Sequence, residues 1–230
     1  MRKMINLELE LRSDIIAKCR EMNAIGLNQG TSGNISARLG DRMLITPSSI
    51  PYDEMEPSMI ASMPVHEEYG SWEGPLRPSS EWRFHLDILR ERPDVSATIH
   101  AHPPYCTALA VSRKSIPACH YMVAVFGGNT IRCADYATFG TKELSSAALA
   151  ALEDRSACLL ANHGSIATGS SIAKAMWLAV ELETIARQYF CSLLIGGPIV
   201  LSDEQIADTV AGIEKYSRPD NTECKETRAA

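Results

Sequence analysis

His100 and His102, in the run Thr-Ile-His-Ala-His, and His163, in Leu-Leu-Ala-Asn-His-Gly, are the residues of this chain best suited to chemistry. Residues two apart on a strand point to the same face, so His100 and His102 can aim both imidazoles at one ion, with His163 closing the set from a second strand. A single histidine beside an apolar run is more often a core or surface residue than a ligand. Three, each at the polar end of an apolar run (95–99 and 156–161), make a metal site the better reading. Three neutral imidazoles leave a divalent zinc its full charge, which thiolates would quench. Such an ion is a strong Lewis acid, suited to an oxyanion or an enediolate beside a carbonyl.

The fourth ligand or the base expected at such a site is a carboxylate. Glu81 is the candidate, placed in the first turn of a helix opened by Ser79-Ser80, although an acidic residue favourable to a helix N-terminus accounts for it equally well. The same helix start offers free N–H groups and two hydroxyls, an arrangement suited to phosphate. Gly30-Thr31-Ser32-Gly33-Asn34 is a candidate second wall, since glycines let successive amides converge on an anion, and Ser48 with Ser49 a candidate third. Serine and glycine clusters are usually turns and caps, so each alone is a weak signal.

These residues must be carried by elements whose periodicity is legible. Leu11, Ile15, Cys19 and Met22 recur at helical spacing before a stop at Gly26, and 35–38 with 43–46 read as a hairpin turning at Gly40-Asp41. The proline-rich and methionine-rich stretch to Pro78 holds one strand and surface loops. A helix carrying Trp82, Leu86 and Leu89 ends before Pro93, 95–102 is a strand, 105–111 a short helix, and Ile131 lies in a further strand. Residues 141–153 form a helix after a threonine cap, 157–162 a buried strand, and Ser170 or Ser171 caps a long helix over 172–195. Irregular alternation of strands and helices argues an α/β layered domain. One domain is expected over 1–216, with a mobile polar tail over 217–230.

Composition narrows the function. A net charge of −6 with no basic block argues against nucleic acid or an anionic membrane as partner. Lys174, Glu181, Glu183 and Arg187 interrupt the longest apolar stretch, which is therefore a helix packed in protein and not a membrane span. Seven cysteines form no Cys-x-x-Cys pair and mostly sit in apolar segments, as reduced core residues do. With no signal-peptide core at the N-terminus, a cytoplasmic location is expected. There is no P-loop, no Gly-x-Gly-x-x-Gly fingerprint and no Gly-x-Ser-x-Gly elbow, so nucleotide-dependent and serine-hydrolase chemistries lose ground. His66 reads as solvated, while His85 and His120 flank the site and read as packing or hydrogen-bonding supports.

Beyond the three histidines, several phrases recur as a set: Gly-Leu-Asn-Gln-Gly-Thr-Ser-Gly-Asn-Ile-Ser from Gly26, Leu-Ile-Thr-Pro-Ser-Ser-Ile-Pro-Tyr from Leu44, and Ser-Ser-Glu-Trp-Arg-Phe-His from Ser79. Ile-Pro-Ala-Cys-His-Tyr-Met from Ile116, Ala-Thr-Phe-Gly-Thr from Ala137 and Asn-His-Gly from Asn162 complete it. Through them nearly the whole chain resembles the class II aldolase and adducin-head family, and within it the aldolase branch. The resemblance implies a three-layer α/β/α fold with a central, largely antiparallel sheet flanked by helices. It implies one zinc ion per subunit on His100, His102 and His163, with Glu81 as a resting ligand that swings away to act as base. It implies a phosphorylated sugar substrate whose phosphate meets Thr31, Asn34, Ser48, Ser49, Ser79 and Ser80, with Phe139 lining the aldehyde pocket. Tyr121, reaching in from a neighbouring subunit of a homotetramer, would be the proton donor, and the family's C-terminal tyrosine falls on Tyr216.

The reaction so implied is reversible cleavage of a ketose 1-phosphate, such as L-fuculose 1-phosphate, to dihydroxyacetone phosphate and L-lactaldehyde or a similar aldehyde. Rival activities on the same fold are 4-epimerisation of L-ribulose 5-phosphate, whose branch places aspartate at the Glu81 position, and an aldolase or dehydratase acting on 5-deoxyribulose or methylthioribulose phosphates. Adducin heads are non-catalytic and lack the metal histidines. Two departures from the nearest relatives are expected: Ser48-Ser49 where they have Thr-Gly, putting a side chain on a glycine position, and Ala101 between the paired histidines, facing away from the metal.

Overall fold

The computed structural model describes residues 2–217. Helix α1 (Arg2–Ala24) stops ahead of Gly26, whose φ of +73° takes the chain out of the helix. Strands β1 (Asn34–Leu39) and β2 (Arg42–Ile45) form the expected hairpin, Leu39 pairing with Arg42 across Gly40 at φ +57°. β3 (Ala61–Pro64) is the one strand of the proline-rich stretch. There follow α2 (Trp82–Glu91), β4 (Ala97–Ala101), α3 (Pro104–Val111), the short strands β5 (Ile116–Pro117), β6 (Thr130–Ile131) and β7 (Cys133–Ala134), and α4 (Lys142–Ala151). β8 (Ala157–Leu160), β9 (Gly164–Gly169), α5 (Ile172–Leu193) and α6 (Asp203–Ser217) complete the order. Two caps are as expected: Thr141 Oγ1 accepts the Leu144 N–H, and of the two serines before α5 it is Ser171 that caps, accepting from Lys174 N–H.

The main sheet runs β3-β2-β1-β4-β9-β8-β7, antiparallel throughout except for the β7–β8 pair. Side-chain alternation gives it two apolar faces. Ile35 and Ala37 of β1 and Ala97, Ile99 and Ala101 of β4 pack with α1, α3 and α5, whereas Met43, Ile45, Cys158, Leu160 and Ile166 pack with α2 and α4. The α/β/α layering is thus a consequence of strand periodicity. Each fully buried large side chain, Phe84 and Phe126 among them, contributes roughly 1.5–3 kcal/mol. Among the described residues no helix is long and apolar enough to cross a membrane. Cys19, Cys106 and Cys158 are buried free thiols, Cys191 is exposed, and Cys224 lies outside the described residues.

Several elements stand outside the expectations from sequence, among them β5 and a 3-10 turn over Pro57–Met59. β9 is bracketed by glycines and holds one large apolar residue, Ile166, so its strand state comes from ladders on both sides, to β4 and β8. A 3-10 turn runs over Tyr121–Phe126. α6 does carry a local signature: Gln205 Oε1 accepts the Ser202 N–H while Ser202 Oγ accepts the Gln205 N–H, a reciprocal capping box. Ser217, where the tail was expected to begin, ends α6, and residues 218–230 lie outside the described residues.

Candidate metal centre and anion cleft

Strand β4 delivers the first two imidazoles. Ala97, Ile99 and Ala101 go to the α1, α3 and α5 core, so His100 points the other way, under α2, where Phe84 meets its ring edge-on at 5.4 Å. Ala101 accordingly turns its methyl from the site. His102 lies one residue past the end of the strand. His163 does not come from a strand as expected; it sits in the tight turn between β8 and β9, after Asn162 at φ +55°. Antiparallel neighbours need only such a turn, and it brings the third ring to the same end of the sheet as His102.

The three rings are mutually edge-on, with centroids 4.7, 4.8 and 4.9 Å apart, and one ligand atom from each lies within 4.8 Å of the others. His100 Nε2 and His102 Nε2 stand 2.9 Å apart. His100 Nδ1 lies 2.9 Å from the Ser165 carbonyl, which can only accept, so Nδ1 carries the proton and Nε2 is the atom left for the site. Close approach here depends on missing side chains: a Cβ on Gly164 would lie 2.5 Å from the His102 ring, and one on Gly33 2.8 Å from the His100 carbonyl.

Glu81 is not in the first helical turn; it occupies the N-cap position of α2 without capping through its side chain. A helix-end role for its charge therefore gives way to the interior. The residue is 5 % exposed, with Oε2 3.1 Å from His100 Nε2 and Oε1 3.3 Å from His163 Nε2. Oε1 makes no hydrogen bond to any described residue. Burial raises the Glu81 pKa, but the His100 charge and its hydrogen bond, then His163 and Asn34, outweigh it and hold the carboxyl below its ordinary range. His100 moves the opposite way: burial lowers it, yet the Glu81 charge and hydrogen bond raise it overall. Burial, then the proximity of His100, bring His102 and His163 down to about 4, so both are neutral lone-pair donors near pH 7. Three convergent ring nitrogens and an unpartnered buried carboxylate oxygen fit a divalent cation with nitrogen and oxygen ligands.

Beside this centre opens a cleft of about 410 Å³ whose lining includes Thr31, Asn34, Ser48, Ser49, Ser79 and Ser80 together with Glu81, His102 and His163. The three segments expected as anion walls therefore meet at one place. Within it, Ser79 Oγ accepts the Glu81 N–H at 3.3 Å, and Ser49 holds φ +61°, a left-handed conformation that a glycine would reach freely. Asn34 is more deeply committed than its expected anion role suggests: its amide donates to Glu81 Oε2 at 3.0 Å and its oxygen faces His85 Nε2. Phe139, 63 % exposed, lines the mouth with Tyr136, Ala137 and Asn162, of which Tyr136 and Asn162 had no expectation. Tyr121 is 53 % exposed and does not line the cleft of its own chain. Tyr216 lies in the last turn of α6 and its side chain is outside the described ones.

Sequence reasoning also passed over Asn28, a buried residue whose Oδ1 accepts the His102 N–H at 3.3 Å and the Ser32 hydroxyl at 3.4 Å. It ties the glycine-rich loop to the metal strand. Only its place in the phrase Asn-Gln-Gly-Thr-Ser-Gly-Asn marked it.

Residues 13–190 match the family described as class II aldolase and adducin N-terminal domain. The chain is 49% identical over 208 residues to the 5-methylthioribulose-1-phosphate/5-deoxyribulose-1-phosphate aldolase of Rhodospirillum rubrum, covering 90% of this chain and 93% of that protein. It is 48% identical over 208 residues to the L-fuculose phosphate aldolase of Escherichia coli strain K12, covering 90% and 95%. A solved L-fuculose 1-phosphate aldolase superposes with a TM-score of 0.85 at 38% identity, over 89% of this chain and 96% of that one.

Proposed function

The chain belongs to the class II aldolase and adducin N-terminal family, and from that premise we propose that it cleaves a ketose 1-phosphate reversibly to dihydroxyacetone phosphate and a small aldehyde, with L-fuculose 1-phosphate and L-lactaldehyde as the leading pair. The observation that carries this reading is the shared wall: Glu81 lies against His100 and His163 and also lines the hydroxyl-rich cleft, so a base, a cation site and an anion site are contiguous. Adducin-like heads without catalysis have no use for that conjunction.

In this reading His100, His102 and His163 hold one zinc ion per subunit, with Glu81 as a resting ligand. Bound there, the ion would supply Lewis acidity to a carbonyl oxygen and stabilise negative charge developing beside it. The chain's own groups do the rest. Thr31, Asn34, Ser48, Ser49, Ser79 and Ser80 hold the phosphate through hydroxyls and N–H groups. That fixes the three-carbon fragment with C1 toward Glu81. In the condensing direction the Glu81 carboxylate, released from its resting contacts, takes the C1 proton; its depressed basicity in the resting site is the reason it must first move. The resulting carbanion adds to the aldehyde carbonyl carbon, forming the new carbon–carbon bond and leaving an alkoxide that Tyr121 of a neighbouring subunit protonates, and Phe139 packs against the aldehyde. Tyr216 is taken as the counterpart of the family's C-terminal tyrosine among the substrate-binding residues. An exposed Tyr121 absent from its own cleft supports an assembly with sites between subunits, a homotetramer in this reading. The domain is taken as 1–216, in the cytoplasm.

A second reading, cleavage of 5-methylthioribulose or 5-deoxyribulose 1-phosphate, is supported by the Rhodospirillum rubrum relative and by the aromatic mouth formed by Tyr136 and Phe139, against which a thioether packs well. The two readings share every step and differ in the aldehyde. The test is release of dihydroxyacetone phosphate from a panel of ketose 1-phosphates, with kcat/KM compared across it. Greatest kcat/KM on L-fuculose 1-phosphate supports the first reading, greatest on the 5-substituted pentulose phosphates the second, and no release from any member overturns both.

A further inference from the structure

The Glu81 oxygen that faces His100 is also reached by a row of buried polar groups running between β1 and α2. Asn34 and Ser36 lie two apart on β1 and share a face, and His85 lies one helical turn after Glu81 on α2. Asn34 Nδ2 donates to Glu81 Oε2 at 3.0 Å, Asn34 Oδ1 faces His85 Nε2, and His85 Nδ1 lies 2.8 Å from Ser36 Oγ. Ser36 and His85 are wholly buried and Asn34, at the cleft end of the row, is 4 % exposed.

Its donor directions have one consistent solution. A carboxylate only accepts, so the Asn34 amide must turn its NH2 to Glu81 and its oxygen to His85. His85 must then carry its proton on Nε2, which leaves Nδ1 to accept the Ser36 hydroxyl. We propose that His85, its Nδ1 occupied by Ser36 and its Nε2–H turned to the Asn34 oxygen, is a positioning residue that disfavours the flipped Asn34 amide, and so keeps a donor aimed at the resting place of Glu81. A flipped amide would put oxygen against the carboxylate and expel it. Phe84 holds the imidazole by stacking at 4.6 Å while its edge contact with His100 ties the same ring to the metal strand. A row serving only to satisfy buried polar groups would not need its polarity to end on the base.

The proposal rests on Glu81 acting as base, so the assay isolates that step. Exchange of the C1 hydrogen of dihydroxyacetone phosphate with D2O is followed by NMR on zinc-loaded full-length protein, together with zinc content and inhibition by inorganic phosphate. His85→Phe should slow exchange by about 10–100-fold with zinc content unchanged, and any change in phosphate inhibition reports the Asn34 amide, which also lines the anion cleft. His85→Gln, whose amide can donate from the Nε2 position, should recover most of the loss. Ser36→Ala, which keeps the ring and leaves its Nδ1 without a partner, should slow exchange by about 10-fold, and it decides the matter if His85→Phe does not fold. Wild-type exchange rates in folded Ser36→Ala or His85→Phe, or equal losses in His85→Phe and His85→Gln, would overturn the proposal. A wild-type protein that catalyses no exchange at all would instead overturn the aldolase reading beneath it.

Discussion

His100 Nε2 stands 2.9 Å from His102 Nε2 and 3.1 Å from Glu81 Oε2, so one ring nitrogen faces both another imidazole and a carboxylate. Without a metal, a proton on His100 would satisfy both neighbours, and the Glu81 charge favours holding it there. His102 and His163, pushed down to about 4, stay neutral, while His100 is raised by Glu81.

Metal uptake must therefore release that proton. His100 holds it below its raised pKa, so affinity should climb with pH until that pKa is passed and then level off, and proton release on metal uptake should fade across the same range. Calorimetric titration in buffers of different ionisation heat counts the protons. Uptake with no proton release would contradict the His100–Glu81 pairing.

Gly164→Ala tests the packing around His102. The new Cβ would sit 2.5 Å from the His102 ring and 2.6 Å from the Ala101 carbonyl, with strand pairing on both sides preventing retreat. Zinc affinity should fall by about 10–100-fold, measured by competition with a chromophoric chelator. Affinity equal to wild type would show that the ring can move without cost.

Glu183→Ala should cost about 1–3 kcal/mol. From α5 this carboxylate accepts the Tyr105 and Cys106 N–H groups at 2.9 and 2.8 Å, capping α3 directly after His102-Pro103-Pro104, where prolines leave no local cap. A urea midpoint unchanged by the substitution would remove Glu183 from the account of how the metal strand is anchored.

Ser49→Gly should stabilise the protein by about 1 kcal/mol, because it relieves a left-handed backbone at φ +61° on a residue with a Cβ. The thermal midpoint reports it. KM for the sugar phosphate, measured alongside, shows whether the serine side chain contributes to the anion wall.

Much of the layering was legible because strand and helix periods are set by burial, and the Ile35, Ala37, Ile99 and Ala101 alternation is in the chain itself. The pairing of His100 with His102 followed from the same period. The position of His163 in a turn did not, since 157–162 reads as one buried strand with His163 at its polar end until β9 is known to double back, and β9 holds a single large apolar residue. Glu81 was found by its neighbours in sequence, but its cap position and burial against His100 are tertiary. The row through Asn34, His85 and Ser36 joins two elements 49 to 51 residues apart, beyond any local pattern. α6 alone was missed despite a readable signal in Ser202 and Gln205.

The central claim is that one divalent cation is held by His100, His102 and His163. Metal content of purified wild-type, His102→Ala and His163→Ala proteins, determined by inductively coupled plasma mass spectrometry after zinc loading and desalting, tests it most directly. The account predicts about one ion per wild-type chain and close to none in either variant; wild-type occupancy retained in both folded variants would contradict it.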